Sequence, residues 1–388
     1  MAEAVIVATA RTPIGRAFKG SLKDVRADDT GGFIVQELMK KAPAVDPASV
    51  EDVIWGAANH VGEQGANMAR QVGLLGGLPD TVPGSSVNRF CASSLQSIRI
   101  AYHAIKAGEG DTYVAGGMEW VSRTAGKGFS KEDVNPRFAD DTRNDFINHV
   151  YIPMGMTAEN VAEKYDISRQ RMDEYAVLSQ SRAVEAQKNG FFEREISPVE
   201  LPDGTFMTAD ECPRPGTELD KLAQLPPAFK EDGRVTAGNA CPLNDGAAAV
   251  LVMDEDRARS LGLTPLARIV ASAVSGLAPE IMGVGPIEAC RKVLAQAGMA
   301  IGDIDVVELN EAFAAQVLPV CDEVGISIEN QLNPHGGAIA LGHPFGQTGA
   351  RIMGTLINDL QTLDKTYGLE TMCVGGGQGM AMIIERLN

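Results

Sequence analysis

Cys91 is the residue of this chain whose type and position point most directly to covalent chemistry. It directly precedes a helical pattern that ends at the stop signal Gly108. The side chains that recur at steps of four and three after Cys91 are Leu95, Ile98, Tyr102 and Ile105. Because a helix N-terminus favours the thiolate form of cysteine, this position predicts a nucleophile. The alternative is a small buried cysteine that only packs.

Three other segments concentrate polar residues in apolar surroundings, at residues 308–313, 333–346 and 373–379. The second contains His343, and the third begins at Cys373 and continues through a run of glycines. Glycines permit close backbone approach and unusual dihedral angles, which catalytic loops need. A second cysteine beside exposed backbone N–H groups could donate and accept protons while those amides hold an oxyanion.

The remaining histidines, cysteines and glycine runs predict no further site. We assign no role to His60, His103 or His149, because isolated histidines are mostly structural. The six cysteines form no C-x-x-C pair, which argues against a disulfide framework and against a zinc site. A nucleotide-hydrolysing P-loop is rejected, because its glycine-lysine motif is absent from the sequence.

Composition limits the classes of function. Lys and Arg total 34 and Asp and Glu total 51, so the net charge of −17 argues against general binding to nucleic acid or anionic membranes. The N-terminal residues read as a first strand and not as a signal peptide. We expect no membrane span, and unpaired cysteines indicate an intracellular, cytoplasmic protein.

The elements that must position these residues occur twice along the chain. The paired segments are strands at 5–8 and 267–271, helices at 32–40 and 287–296, segments at 46–54 and 300–307, and glycine-ended strands at 112–118 and 371–377. An offset of about 260 residues predicts two duplicated domains, which we bound at 1–262 and 266–388. Alternating strands and helices predict mixed or parallel sheets covered by helices, an α/β fold.

An insertion separates the two halves, from about residue 119 to 233. It is polar, and it contains one strong helix, over 169–189, with Ser168 as N-cap and Gly190 as stop. The proline-rich stretch 210–229 predicts an irregular loop. Long excursions of this kind usually form binding surfaces or lids, so we expect substrate contacts here.

Taken together, these motifs closely resemble those of the thiolase family. The matching segments are NRFCASS at 88–94, MGMTAEN at 154–160, VTAGNA at 235–240, NEAF at 310–313, GGAIALGHP at 336–344 and CVGGGQG at 373–379. The resemblance implies two similar α/β halves in a five-layered arrangement with an inserted loop domain. It also implies a homodimer or homotetramer.

The resemblance also implies roles for individual residues. Cys91 would attack the keto carbonyl of a 3-oxoacyl-CoA, and His343 would take the thiol proton and raise the thiolate content. Cys373 would protonate the departing acetyl-CoA enolate. His343 and a water held by Asn310 would stabilise the enolate oxygen, and the N–H groups of Cys91 and Gly375 would form a second oxyanion hole.

The coenzyme A channel implied by the resemblance is formed by residues scattered along the chain. They are Met154, Arg214, Phe229, Ala237 and Phe313. Arg214 would supply a cation and Phe229 a stacking or wall surface. Cys241 is a departure, because many relatives carry a serine there that contacts the pantetheine arm.

The expected activity is degradative 3-ketoacyl-CoA thiolysis of the β-oxidation type. The substrates would be CoA and acyl-CoA, with no metal and no permanently bound cofactor. The pair Arg89 and Phe90 resembles the degradative branch and favours acyl chains of six or more carbons. The alternatives are a biosynthetic acetoacetyl-CoA thiolase and a non-catalytic thiolase-like subunit. The sequence leaves open a hydratase/dehydrogenase partner.

Overall fold

The structure is a computed structural model that describes residues 2–138, 140, 142–143 and 146–388. Met1, where the first predicted domain begins, lies outside this description. So do Ala139, Asp141, Asn144 and Asp145 of the predicted insertion.

Strands and helices alternate along the chain. The strands are β1 Ala4–Arg11, β2 Gly15–Arg16, β3 Asp52–Gly56, β4 Gly84–Val87, β5 Thr112–Trp120, β6 Val199–Glu200, β7 Phe206–Met207, β8 Asn244–Asp254, β9 Ala267–Gly276, β10 Val306–Leu309, β11 Tyr367–Val374 and β12 Gln378–Arg386. The helices are α1 Ala27–Lys40, α2 Met68–Leu75, α3 Ser93–Ala107, α4 Val121–Thr124, α5 Met154–Lys164, α6 Arg169–Lys188, α7 Leu219–Ala223, α8 Glu255–Ser260, α9 Gly285–Ala297, α10 Ala314–Val324, α11 Ala338–Leu341 and α12 Thr348–Thr362.

The predicted repeat is visible in the strand order of the central sheet. Its order is β10-β11-β12-β9-β1-β8-β5-β3-β4, with β2 pairing on β8. In the first half β1, β8, β5 and β3 are successive neighbours, and in the second half β9, β12, β11 and β10 repeat the same parallel and antiparallel pairings. The equivalent strands β1 and β9 pair antiparallel and join the halves into one sheet. The domain boundaries themselves stay a prediction.

The three largest apolar clusters of the described residues separate the layers of the molecule. The middle cluster is formed by α3 and α12 with inward-facing side chains from both halves of the sheet, such as Val250 of β8 and Met382 of β12. The opposite faces are covered by α1 and α2 in the first half and by α9 and α10 in the second. Each half-sheet therefore has helices on its outer face, and a shared layer of helices lies between the two half-sheets. This is the expected five-layered arrangement.

Helix ends follow the predicted signals closely. Ser168 Oγ accepts from the Arg171 N–H, and α6 then runs to Lys188, with Gly190 in the left-handed region at φ 80°. Gly298 closes α9 at φ 66°. The first predicted helix begins five residues earlier than residue 32, because Asp28 and Asp29 occupy a favourable first turn of α1.

The prediction of one strong helix in the insertion is incomplete. The insertion holds a second helix, α5, whose buried face includes Ala158, Val161 and Ala162. In the second half, Pro319 lies inside α10, which runs from Ala314 to Val324 and is followed by Gly325.

Candidate active site

The nucleophile position is a strained turn at the start of α3. A short 3₁₀ turn, Phe90–Ala92, carries Cys91 and leads directly into Ser93–Ala107. Phe90 has φ 45°, the left-handed region that a bulky side chain rarely adopts. Asn88 Oδ1 accepts the Phe90 N–H at 2.8 Å, and Ser93 Oγ donates to the Phe90 carbonyl at 2.6 Å. These two bonds stabilise the strained turn that positions Cys91. Backbone strain of this kind is common at functional sites, where the surrounding structure holds it in place.

The charge state of Cys91 differs from the sequence-based expectation. Backbone N–H groups of Gly375 and of Cys91 itself point at the sulfur and favour the thiolate. Burial outweighs them and, with the nearby carboxyl of Glu119, raises the pKa of Cys91 to about 11. The helix start therefore supplies hydrogen-bond donors, but the resting group is a thiol, and the nucleophile needs a base.

His343 is the predicted base, and its tautomer follows from its partners. The Thr348 hydroxyl donates to the Pro344 carbonyl at 2.8 Å, so its oxygen is left to accept from His343 Nδ1–H at 2.6 Å. Since neutral imidazole carries one proton, Nε2 is the unprotonated nitrogen. The amide of Asn310 lies 3.3 Å from that nitrogen and donates to it.

His343 is buried and neutral at rest. Burial, followed by the positive charge of Arg351, lowers the pKa of His343 to about 3. A neutral imidazole beside a protonated thiol does not ionise spontaneously. The proton must therefore leave Cys91 as the sulfur attacks a carbonyl and its charge passes to oxygen atoms held by donors.

Cys373 and Asn310 reach the site from adjacent parallel strands. Cys373 is near the carboxyl end of β11, and Asn310 follows β10 directly, where its N–H donates to the Thr371 carbonyl at 3.0 Å. Burial raises the pKa of Cys373 well above its usual value, and the thiols of Cys91 and Cys241 add to the rise. Cys373 is therefore a protonated acid beside the nucleophile, as a proton donor to an enolate should be.

A side-chain bridge ties the Gly375 loop to the nucleophile turn. Arg89 Nη1 donates to Gln378 Oε1 at 3.0 Å, and Gln378 Nε2 donates to the Gly375 carbonyl at 3.1 Å. Gly376 and Gly377, which follow, both have positive φ, at 76° and 81°. The bridge thus fixes the loop whose Gly375 N–H points at Cys91.

Two of the five predicted coenzyme A residues contact each other, and a third, Met154, is adjacent in sequence to a glycine on which one of them packs. Phe229 and Phe313 meet edge to face, with ring centroids 6.0 Å apart. The Phe229 ring also packs on Gly155, the residue after Met154, so closely that a Cβ there would lie 2.2 Å from it. Phe229 is half exposed, which leaves a face for a ligand.

The other two predicted residues lie apart from that contact. Ala237 is exposed on the loop that precedes Ala240, and Ala240 forms a backbone bridge with Phe313. Arg214 is also exposed, and its N–H donates to Gln180 Oε1 at 2.8 Å. Within the described part of the chain, no contact joins the Arg214 side chain to the other four residues.

Sequence reasoning missed several residues that build the site. Asn244 Oδ1 accepts the His343 N–H at 2.9 Å, and Thr348 orients the His343 ring. The buried Glu119 carboxylate accepts from the N–H groups of Ala58 and Gly346. Thr348 lies five residues after His343, a spacing that could have suggested it, whereas the other two come from distant segments.

Two further motif residues have structural explanations. The Glu311 carboxylate is fully buried and accepts from Tyr175, Ser179 and Asn333, so it fixes loops and does not face Cys91. Cys241, whose role was open, is partly buried. The thiol of Cys91 helps to raise the pKa of Cys241, and the thiol of Cys241 helps to raise that of Cys373. The site therefore contains three neighbouring thiols.

Among the described residues, no three or more His, Cys, Asp or Glu side chains cluster in a way that could hold a metal ion. No helix in this part of the chain is long and apolar enough to cross a membrane.

Comparison of the chain with known protein families identifies the family to which it belongs. Residues 4–256 match the model of the thiolase N-terminal domain, and residues 263–386 match that of the thiolase C-terminal domain. The chain belongs to the thiolase family, whose fold it shares.

Individual relatives agree over the full length of the chain. The 3-oxoadipyl-CoA/3-oxo-5,6-dehydrosuberyl-CoA thiolase of Escherichia coli K12 is 45% identical, with all of both chains covered. The crystal structure of human mitochondrial 3-ketoacyl-CoA thiolase matches with a TM-score of 0.89 and 40% identity, covering 100% of this chain and 99% of that one. The acetyl-CoA acetyltransferase of Bacillus anthracis matches with a TM-score of 0.89, 39% identity and the same coverage.

Proposed function

We propose that this enzyme is an acyltransferase that cleaves 3-oxoacyl-CoA with CoA, giving acetyl-CoA and an acyl-CoA two carbons shorter. The observation that carries the proposal is the donor arrangement around Cys91. The N–H groups of Gly375 and Cys91 both favour the Cys91 thiolate, so they are the donors available to the oxyanion that forms next to the sulfur after attack on a carbonyl. The Cys373 thiol, whose pKa is raised by burial and by Cys91, is the neighbouring acid.

The first half-reaction forms an acyl-cysteine. Cys91 sulfur attacks the keto carbon while His343 Nε2 takes the thiol proton, and the N–H groups of Cys91 and Gly375 hold the oxyanion. The bond between C2 and C3 then breaks. Its electron pair forms the acetyl-CoA enolate, which takes a proton from the Cys373 thiol. We assign Asn310 and His343 to the enolate oxygen, with a water molecule held by Asn310.

The second half-reaction returns the enzyme to its starting state. The Cys373 thiolate deprotonates the incoming CoA thiol, whose sulfur attacks the acyl-Cys91 carbonyl. The shortened acyl-CoA leaves as the Cys91 thiolate forms, and imidazolium at His343 returns the proton. Each cysteine and the histidine thus end as they began, without a metal or a permanently bound cofactor.

Coenzyme A would lie against the wall formed by Met154, Phe229 and Phe313, with Ala237 at its edge. The half-exposed Phe229 ring offers an apolar surface to the pantetheine arm. Arg214 would contact the nucleotide phosphates from its exposed position. Cys241 would replace the serine that contacts the pantetheine arm in many relatives.

The proposed function is tested by product analysis. Incubation with 3-oxooctanoyl-CoA and CoA should give equal amounts of acetyl-CoA and hexanoyl-CoA, measured by liquid chromatography and mass spectrometry. Free acid in place of hexanoyl-CoA would show hydrolysis and would overturn the transferase assignment.

The biosynthetic acetoacetyl-CoA thiolase remains the second candidate, since the same residues serve both directions. The Bacillus anthracis protein with a similar structure is named an acetyl-CoA acetyltransferase, but the comparisons favour that activity no more than the degradative one. Its test is a series of kcat/KM values for 3-oxoacyl-CoAs of four, six, eight and twelve carbons. A steady fall in kcat/KM beyond four carbons would favour it.

We further propose that the enzyme is a cytoplasmic homodimer or homotetramer, as the thiolase resemblance implies. The absence of a helix fit to span a membrane among the described residues is compatible with this. Light scattering coupled to size-exclusion chromatography distinguishes the two assemblies. Co-purification with a hydratase or dehydrogenase would support a multienzyme complex.

A further inference from the structure

The carboxyl group of Glu119 holds three segments around the active site together. Glu119 is in β5, between β3 and β8, and its side chain is fully buried. Its Oε2 accepts from the Ala58 N–H at 2.8 Å and from the Gly346 N–H at 3.1 Å. Its Oε1 accepts from the Asn59 N–H at 3.3 Å and from Gln64 Nε2 at 3.0 Å. The carboxyl therefore joins β5 to two segments that are distant from it in the sequence.

The first of these segments supports the turn that carries Cys91. The Ala57 carbonyl accepts from Ser93 Oγ at 3.3 Å, and the Ala58 carbonyl accepts from Asn88 Nδ2 at 2.9 Å. Asn88 and Ser93 are also the residues whose side chains stabilise the strained turn. The segment held by the carboxyl thus fixes the turn that positions the nucleophile.

The second segment carries the predicted base. Gly346 follows His343 by three residues, between α11 and α12. It packs so closely on β5 that a Cβ there would lie 2.2 Å from the Met118 carbonyl oxygen. Glu119, the next residue of β5, binds this loop through the Gly346 N–H. One carboxyl group therefore sets the relative position of the His343 loop and the Cys91 turn.

The hydrogen bonds of Glu119 identify its charge state. Burial raises the pKa of the Glu119 carboxyl, and the N–H bonds oppose that rise. Both oxygens accept from two N–H groups each, whereas a protonated oxygen would have to donate. A carboxylate therefore lies buried in the active site.

The negative charge of Glu119 acts on the nucleophile. Burial is the main cause that raises the pKa of Cys91 to about 11, the Gly375 N–H opposes the rise, and the Glu119 carboxylate adds to it. The other two thiols of the site, Cys241 and Cys373, are uncharged because burial raises the pKa of both. Among these groups, the Glu119 carboxylate is therefore the charge that disfavours the thiolate.

We propose that Glu119 is a positioning residue with two effects on Cys91. Its carboxylate holds the nucleophile turn and the His343 loop in the arrangement that acylation needs, and its charge keeps Cys91 a thiol until a substrate carbonyl is bound. The resting enzyme then resists electrophiles, because the thiolate is the reactive form of cysteine. The catalytic effect rests on the proposed function, whereas the protection of the thiol does not.

The test compares Glu119→Gln, which removes the charge, with Glu119→Asp, which keeps the charge on a shorter side chain. The first readout is alkylation of Cys91 by iodoacetamide without substrate, followed across pH by peptide mass spectrometry. At pH 8, Glu119→Gln should react at least about threefold faster than the parental enzyme, because removal of a nearby negative charge lowers the pKa of Cys91. Glu119→Asp should keep the parental rate and pH profile.

The second readout is kcat and KM for thiolysis of 3-oxooctanoyl-CoA. An amide offers one acceptor oxygen, and the shorter carboxylate reaches fewer of the donors, so kcat should fall at least about tenfold in both variants with little change in KM. Glu159→Gln is the matched control, because the buried Glu159 carboxylate also accepts backbone N–H groups, those of Arg234 and Val235. It should leave the alkylation rate of Cys91 unchanged.

Each contrary result is decisive. Equal acceleration of alkylation in Glu119→Gln and Glu119→Asp, or a parental rate in Glu119→Gln, would overturn the effect of the charge. In the parental enzyme alone, an alkylation midpoint at the ordinary cysteine pKa of about 8.5 would overturn it as well. Parental kcat in both variants would overturn the positioning effect. Absence of thiolysis in the parental enzyme would overturn the proposed function, and the alkylation rates would still decide the role of the charge.

Discussion

Replacement of Thr348 by valine should lower the rate of catalysis because it changes which nitrogen of His343 carries the proton. The effect does not depend on contact between Thr348 and the substrate. The threonine hydroxyl accepts His343 Nδ1–H at 2.6 Å, and this bond keeps Nε2 unprotonated, so that Nε2 can accept the Cys91 proton in place of its hydrogen bond from Asn310. Valine has nearly the same shape but accepts no hydrogen bond. The Nδ1–H would then be buried without a partner, and the ring would favour the tautomer with its proton on Nε2.

The expected magnitude follows from the cost of an unpaired buried donor, about 1–3 kcal/mol. If that energy separates the productive tautomer from the other one, the productive population falls roughly 5- to 150-fold. The kcat/KM for thiolysis should fall by the same factor. Thr348→Ser keeps the hydroxyl and should stay within a few-fold of the parental enzyme.

The assay is the single-turnover rate of acyl-enzyme formation measured across pH, with thermal unfolding of each variant as a stability readout. Thr355→Val is the matched control, because Thr355 is buried in the same helix and its hydroxyl donates to Glu195, away from His343. It should lose stability without slowing acylation. Parental acylation rates in Thr348→Val would refute the tautomer argument.

The remaining predictions concern the proton donor, the loop bridge and acid stability. Cys373→Ala should keep acylation by acetyl-CoA at Cys91 but slow carbon–carbon cleavage by at least roughly 10²-fold, as measured by product formation. Gln378→Leu removes the bridge from Arg89 to the Gly375 loop and should lower kcat up to about 10²-fold with little change in KM. In His343→Asn, the free energy of unfolding should decrease less as the pH is lowered than it does in the parental enzyme, as measured by urea titration at several pH values.

The sign of that last effect follows from the direction of the pKa shift. Burial holds the pKa of His343 at about 3, below the unfolded value near 6.5, so the unfolded chain binds the extra proton between these values. Stability from the neutral ring is therefore complete above about pH 6.5 and is lost toward pH 3, at up to about 1.4 kcal/mol per pH unit. An unchanged acid slope in His343→Asn would contradict the buried neutral imidazole.

Outcomes for the other two variants are equally sharp. If Cys373→Ala cleaves acetoacetyl-CoA at the parental rate, Cys373 is not the acid/base of the reaction. Gln378→Leu with parental kcat would show that the Gly375 N–H holds its place without the bridge.

The fold was largely predictable because its signals are local and repeated. The glycine-ended strands β5 and β11, and the helix stops at Gly108, Gly190 and Gly298, depend on backbone preferences that the sequence displays directly. Helix α5 was missed because its buried side, with Ala158 and Ala162, consists mainly of small residues, and these give little apolar periodicity.

The roles of the site residues stay a prediction, and their electrostatics could not be predicted from the sequence. The resemblance named Cys91, His343 and Cys373, yet the depth of burial that keeps both thiols protonated depends on packing between layers. Asn244 reaches His343 from β8, 99 residues earlier in the chain, so no local pattern could reveal that contact. The structure also places Cys241 beside the two other thiols, which sequence spacing does not show.

The central claim is that one thiol of these three carries the acyl group. The direct measurement is peptide mass spectrometry of the enzyme after brief incubation with acetyl-CoA and acid quenching. We expect a single acetyl group, on Cys91, that disappears on addition of CoA and is absent from Cys91→Ala. An acetyl group found only on Cys373 or Cys241 would contradict the assignment of the nucleophile and the mechanism built on it.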